Sequence, residues 1–107
     1  MKVSQKLIKE TIDPYFVQWQ SLRTELLSAH QQRSKSTGGL MAQGIQLFTT
    51  LLEECGGELK PLNCRDRLSF INAEPAQFAA FRQLDELFAE MKKKISSKRI
   101  QLNKNAN

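Results

Sequence analysis

The chain has 107 residues, 40% of them hydrophobic and 25% charged, with five glycines and three prolines. This composition excludes a disordered chain, a fibrous repeat and a membrane span, and it allows one domain with one modest core. The formal charge of +5 is concentrated at one end: the sixteen residues from Lys92 hold six basic groups and no acid, while the first 91 residues hold ten basic and eleven acidic groups.

In chain order, Val3, Leu7, Ile8 and Ile12 fit a short helix or an arm packed on the body. Asp13 followed by Pro14 reads as an N-cap with proline at the first helical position, where its missing N–H costs nothing. Tyr15, Trp19, Leu22, Leu26 and Ala29 then repeat at spacings of four and three, with Phe16 and Leu27 widening the stripe. This predicts a core-facing helix over 14–32. The polar segment HQQRSKSTGG reads as a connection. Met41, Ile45, Phe48, Leu52 and Cys55 resume the same spacing, and Leu40, Leu47 and Leu51 add a second stripe, so this helix should lie between two neighbours. Gly56 and Gly57 supply the left-handed residues that stop it.

Asn63, with Asp66 three residues on, reads as the cap of a short helix over 64–72 whose buried face is Cys64, Leu68 and Ile71. Pro75 should open the last helix, with a seam of Phe81, Leu84, Phe88, Met91 and Ile95 flanked by Phe78 and Leu87. The expected fold is all-α: an antiparallel bundle of three long helices braced by the short one. The domain should cover 1–103, leaving a frayed tail at 104–107.

No catalytic or cofactor motif is present. Glu53 and Glu54 are consecutive on a helix and cannot converge on one substrate atom. His30 sits at the polar end of its helix with no cysteine near it, and STGGL lacks the lysine of a phosphate loop. Two cysteines and one distant histidine fall short of a zinc site, and in a reducing compartment Cys55 and Cys64 are expected as buried free thiols. The N-terminus lacks the apolar core of a signal peptide, so the expected location is the cytoplasm. The expectation is therefore a non-enzyme with no cofactor and no membrane association, either monomer or homodimer. A homodimer would use the Phe81–Ile95 seam.

Binding residues are a different matter. In LNCRDRLSFINAEP, helical projection turns Arg65 towards water and sets Arg67 among apolar groups, where a guanidinium needs carboxylate or carbonyl partners. Arg67 is expected either to clamp a partner's carboxylate or to pair with Glu86, Glu90 or Asp66. Helix 64–72 and its successor resemble a helix-turn-helix in outline. The second helix, however, opens AQFAAF, built for packing, and only Gln77 and Arg82 could reach a groove. The first functional expectation is a protein–protein interaction module using Arg65, Arg67 and Arg82. The alternative is a nucleic-acid-associated protein contacting phosphates through Lys92, Lys93, Lys94, Lys98, Arg99 and Lys104. Trp19 and Tyr15, in register with the core stripe, are expected in the core rather than at an interface.

Residues 61–91 carry P-L-N-x-x-x-R-L-x-F-I, formed by Pro61, Leu62, Asn63, Arg67, Leu68, Phe70 and Ile71. They continue as P-x-x-F-x-x-F-x-Q-L-x-E-L-F-x-E from Pro75 through Gln83 to Glu90. This pattern resembles the YpoC-like family of small bacterial proteins, its chemically distinctive members being Asn63, Arg67 and Gln83. The resemblance implies a helical, cytosolic protein of unassigned function with no catalytic residues to transfer. Its members are often encoded near DNA replication and repair genes.

Overall fold

A computed structural model describes residues 9–105, with side chains described through Leu102. They form four helices: α1 (Lys9–Gln31), α2 (Thr37–Glu54), α3 (Cys64–Ala73) and α4 (Phe78–Asn105). No strand occurs among the described residues. Of the proposed N-terminal segment, Val3, Leu7 and Ile8 lie outside them.

Contacts fix the direction of each helix. Asp13 meets Arg99, Trp19 meets Asp85 and His30 meets Phe78, so α1 and α4 run antiparallel. Gly44 lies against Leu84 and Phe48 against Phe88, so α2 and α4 run parallel. The ten residues of α3 carry the chain back along α4, with Arg67 bonded to Gln83 and Glu90. The result is an up-down-up-down arrangement with one short member.

Burial follows the seams. Phe81, Leu84, Leu87, Phe88, Met91 and Ile95 of α4 are all essentially inaccessible, against Ile12, Trp19 and Leu26 of α1 and Met41, Phe48 and Leu51 of α2. The Phe81–Ile95 seam is thus buried within the chain. Trp19 is the keystone. Its indole stacks on Phe88 with centroids 4.4 Å apart and rings 8° from parallel, and its edge passes over Gly44. A Cβ at Gly44 would lie 2.9 Å from Trp19 Cζ3.

The helix ends differ from expectation, each for a local reason. α1 does not begin at Pro14; the helix runs through it from Lys9. Proline removes the donor to the Glu10 carbonyl, a cost of about 3 kcal/mol in a helix interior. The turn ahead of it is held by Ile12, which is fully buried, and by Asp13, paired with Arg99 rather than capping. Burial of one isoleucine side chain returns about 1.5–3 kcal/mol, enough to offset most of that cost.

At its other end, α1 stops on Arg33 in the left-handed region (φ 52°). The Arg33 and Ser34 N–H groups donate to the carbonyls of His30 and Ala29 at 3.2 and 2.8 Å, the paired bonds of a Schellman cap. The connection is therefore shorter than HQQRSKSTGG, and Thr37, Gly38 and Gly39 are already helical. Gly56, at φ 77°, ends α2 as expected, donating to the Glu53 carbonyl.

Asn63 is also left-handed (φ 56°, ψ 30°) and makes no side-chain capping bond. A capping residue needs extended backbone for its side chain to reach the next amides, so the Asn63–Asp66 capping box does not form. The Asn63 carbonyl instead accepts the Arg67 N–H at 2.9 Å. Pro75 sits in the turn, and α4 starts at Phe78, its first bonds accepted by the Gln77 carbonyl. The Gln77 amide also donates to the Glu74 carboxylate. Phe78 packs edge-on to His30 but stays 47% exposed, outside the core.

Candidate functional site

The polar centre of the molecule is Arg67. Its position on α3, one turn beyond buried Cys64 and one turn before buried Ile71, aims the side chain at the flank of α4. There Nη1 donates to Glu90 Oε1 at 3.0 Å and Nη2 to Oε2 at 2.5 Å. Nε donates to Gln83 Oε1 at 2.8 Å, and Nη1 also reaches the Leu62 carbonyl at 3.2 Å. Glu86 stands 4.0 Å away. The Arg67 side chain is only 16% exposed.

Charge and geometry agree here. The hydrogen bond from Arg67 holds the Glu90 carboxyl below its ordinary range, with desolvation opposing, and Glu90 in turn raises Arg67. The two-pronged guanidinium–carboxylate geometry is one that lysine cannot copy. Of the three acids expected as partners, Glu90 is the main one, Glu86 is peripheral and Asp66 takes no part. With four donor contacts made inside the chain, the Arg67 fork is not open to a partner's carboxylate.

Arg65 and Arg82 do not join it. Two residues apart on a helix, Arg65 and Arg67 point about 200° apart. Arg65 is exposed, as is Arg82 on the outer side of α4. Neither forms an ion pair among the described residues.

A second polar lock was not legible beforehand. Asp85 accepts the Trp19 Nε1–H at 3.0 Å and the Arg23 Nε–H on both oxygens at 3.0 Å, tying α1 to α4. The available signal was the indole N–H, which seeks a partner when buried. The sequence offered eleven carboxylates and no means of choosing among them.

The basic end of α4 divides by flank. Arg99 is turned towards α1 and paired with Asp13 at 3.2 Å. Lys92 borders the same α1–α4 cleft with Lys9, Phe16 and Ile95. On the other flank, Lys93, Lys94 and Lys98 line a shallow groove of about 400 Å³ with Leu59, Ser97 and Gln101. Among the described residues its lining includes no carboxylate. The Lys104 side chain lies outside the described residues.

Both cysteines are free and buried. Burial, with Glu54 adding, pushes the Cys55 thiol up to about 11, and burial also raises Cys64. Among the described residues no cluster of three or more His, Cys, Asp or Glu can hold a metal ion, and no helix is long and apolar enough to cross a membrane.

The constellation of Asn63, Arg67 and Gln83 can be set beside known proteins. The model of the YpoC-like protein family matches residues 9–103. The chain belongs to the YpoC-like family. It is 33% identical over 95 residues to the uncharacterized protein YpoC of Bacillus subtilis (strain 168), a match covering 73% of this chain. The chain spans 58% of that relative's length. No solved structure matches. The family match extends well beyond the 61–91 stretch that first carried the resemblance, taking in α1 and α2. Within that stretch, Arg67 and Gln83 meet in one hydrogen bond and Asn63 forms the left-handed entry to α3.

Proposed function

We propose that this YpoC-like protein is a non-enzymatic binding protein of the cytoplasm whose partner is nucleic acid, contacted through phosphates without reading sequence. The observation that carries this reading is the groove along α4, whose described lining holds Lys93, Lys94 and Lys98 and no carboxylate. Such a surface attracts a polyanion and releases its counterions on binding. A place near DNA replication or repair would suit it. The test is fluorescence anisotropy of labelled nucleic acid with the full chain at about 50 mM salt, where even weak phosphate contacts register. Neutralising the three lysines to glutamine is a cleaner comparison than ending the chain at Met91, which would strip Ile95 from the core. Absence of binding by the unaltered chain would sink the reading.

A second reading, docking onto another protein, is favoured by Leu62 and Phe70, exposed at 76% and 52%. They stand before and one turn beyond Arg67 in the chain, and Arg65 and Arg82 offer further exposed cations. Against it, the other large exposed apolar residues, Val17, Phe78 and Ile100, are spread over α1 and both ends of α4. Replacing Leu62 and Phe70 by serine should abolish concentration-dependent self-association or partner binding, if present, without lowering Tm. A fall in Tm would assign both residues to packing.

A further inference from the structure

One flank of α4 changes sign along its length. Gln83, Glu90, Lys94, Ser97 and Gln101 follow at spacings of seven, four, three and four, which keeps them on one side of the helix. Over the first part of this flank α3 is present, and Arg67 supplies the cation that Gln83 and Glu90 accept. At its ten residues α3 is about 15 Å long, and Cys64 begins it near the level of Glu90. Beyond that level the flank turns basic, and only Leu59 of the 55–63 connection approaches it. Glu58, the neighbour of Leu59, is exposed and does not border the groove. The acidic half of the flank has its main counter-charge in Arg67; the basic half adjoins Glu90, whose carboxyl also feels Lys94 and Lys93, while the described groove lining itself holds no carboxylate.

Building on the nucleic-acid reading above, we propose that this groove is the contact site and that its ligand is the phosphate backbone of a duplex rather than a single strand. Three features select that partner. The lining holds Lys93, Lys94 and Lys98, compact charges on flexible stems, and no arginine fork of the kind that reads base edges. It holds no aromatic residue, whereas proteins that grip single strands stack bases on aromatic platforms. Duplex DNA also presents the denser charge, about one per 1.7 Å of axis. An acidic helix from a partner protein fits less well, because helix-in-groove docking needs apolar anchors and, among the described residues, Leu59 is the one large apolar side chain in the lining.

The experiment uses the full chain with a fluorescein-labelled duplex of about 20 base pairs, one of its strands alone, and poly-L-glutamate as an acidic polypeptide, at several salt concentrations. Three phosphate contacts predict a slope of log K against log salt of about −2.7, roughly a 40-fold loss between 50 and 200 mM. The duplex should bind more tightly than the strand. Lys94→Gln or Lys98→Gln should each flatten the slope by about 0.9, and Lys35→Gln, in the distant α1–α2 connection, should leave it unchanged.

Equal or tighter binding of the single strand would overturn the duplex assignment while leaving the nucleic-acid reading in place. Duplex binding indifferent to both lysine substitutions would overturn the groove. Binding of poly-L-glutamate with no binding of either nucleic acid would overturn both. Circular dichroism and Tm of each variant establish that the fold is retained, since glutamine preserves most of the lysine stem.

Discussion

Arg67 of α3 grips Glu90 of α4 with both prongs, at 3.0 and 2.5 Å, while its Nε holds Gln83. This makes the pair the principal polar tie between the short helix and the bundle. Arg67→Ala should destabilise the protein by about 2 kcal/mol, because a partly buried charge-assisted pair is lost and Gln83 keeps an unmet acceptor. Arg67→Lys should recover less than half of that. Chemical denaturation of both variants and of Glu90→Gln, combined in a double-mutant cycle, checks it; a coupling energy under about 0.5 kcal/mol would reduce the pair to a surface contact.

The same pair sets a pH dependence. The Glu90 pKa is lower in the folded chain than its ordinary 4.5, so the unfolded chain binds the proton more readily. Its contribution is complete above about pH 4.5 and is lost as the pH falls through the depressed folded value. Glu90→Gln should therefore differ most from the unaltered chain at neutral pH and converge with it in acid. A stability difference that stays constant from pH 7 to pH 3 would contradict the assignment.

Asp85 serves the indole of Trp19 and the Arg23 guanidinium at once. Asp85→Ala leaves a buried N–H unpaired, at a cost of about 1–3 kcal/mol. Because Trp19 is the single tryptophan, its emission should shift on this substitution before any loss of helix. Unchanged emission would mean that the indole N–H had another acceptor.

Gly44 is the exception to the rule that alanine improves a helix. The gain of about 1 kcal/mol in propensity is set against a Cβ 2.9 Å from Trp19 and 3.0 Å from Leu84. The indole cannot recede, being stacked on Phe88, and overpacking of this kind costs about 1–3 kcal/mol. Gly44→Ala should lower Tm by a few degrees, and Gly44→Val by considerably more.

Arg33 offers the opposite case. It is an exposed non-glycine residue at φ 52°, a conformation costing about 1–2 kcal/mol for an L side chain. Arg33→Gly should stabilise the chain by roughly 0.5–1 kcal/mol after the entropy of the unfolded glycine is deducted. Thermal melting checks it, and a lowered Tm would mean that the arginine side chain contributes to the cap.

The fold class, the core stripes of α1, α2 and α4, the buried free cysteines and the core position of Trp19 were all written in local patterns. Apolar spacings of three and four dictate which face of a helix is buried whatever it is buried against. The acid of the clamp was legible as one of a short set, since a guanidinium among apolar groups requires an acid and only a few lay within reach; Gln83 as a further acceptor was not among the expected partners. Glycines at 56 and 57 announced the end of α2 for the same local reason.

What the chain concealed depends on contacts between residues distant in sequence. The buried Ile12 and the Asp13–Arg99 pair carry α1 through Pro14, against the proline's own preference. The choice of Glu90 for Arg67 and of Asp85 for Trp19 follows from which helix flanks meet, which no local spacing specifies. The six basic residues at the end of the chain look alike in one dimension. Only the placement of α1 against one flank of α4, and the early end of α3 on the other, separates a neutralised Arg99 from the three lysines of an open groove.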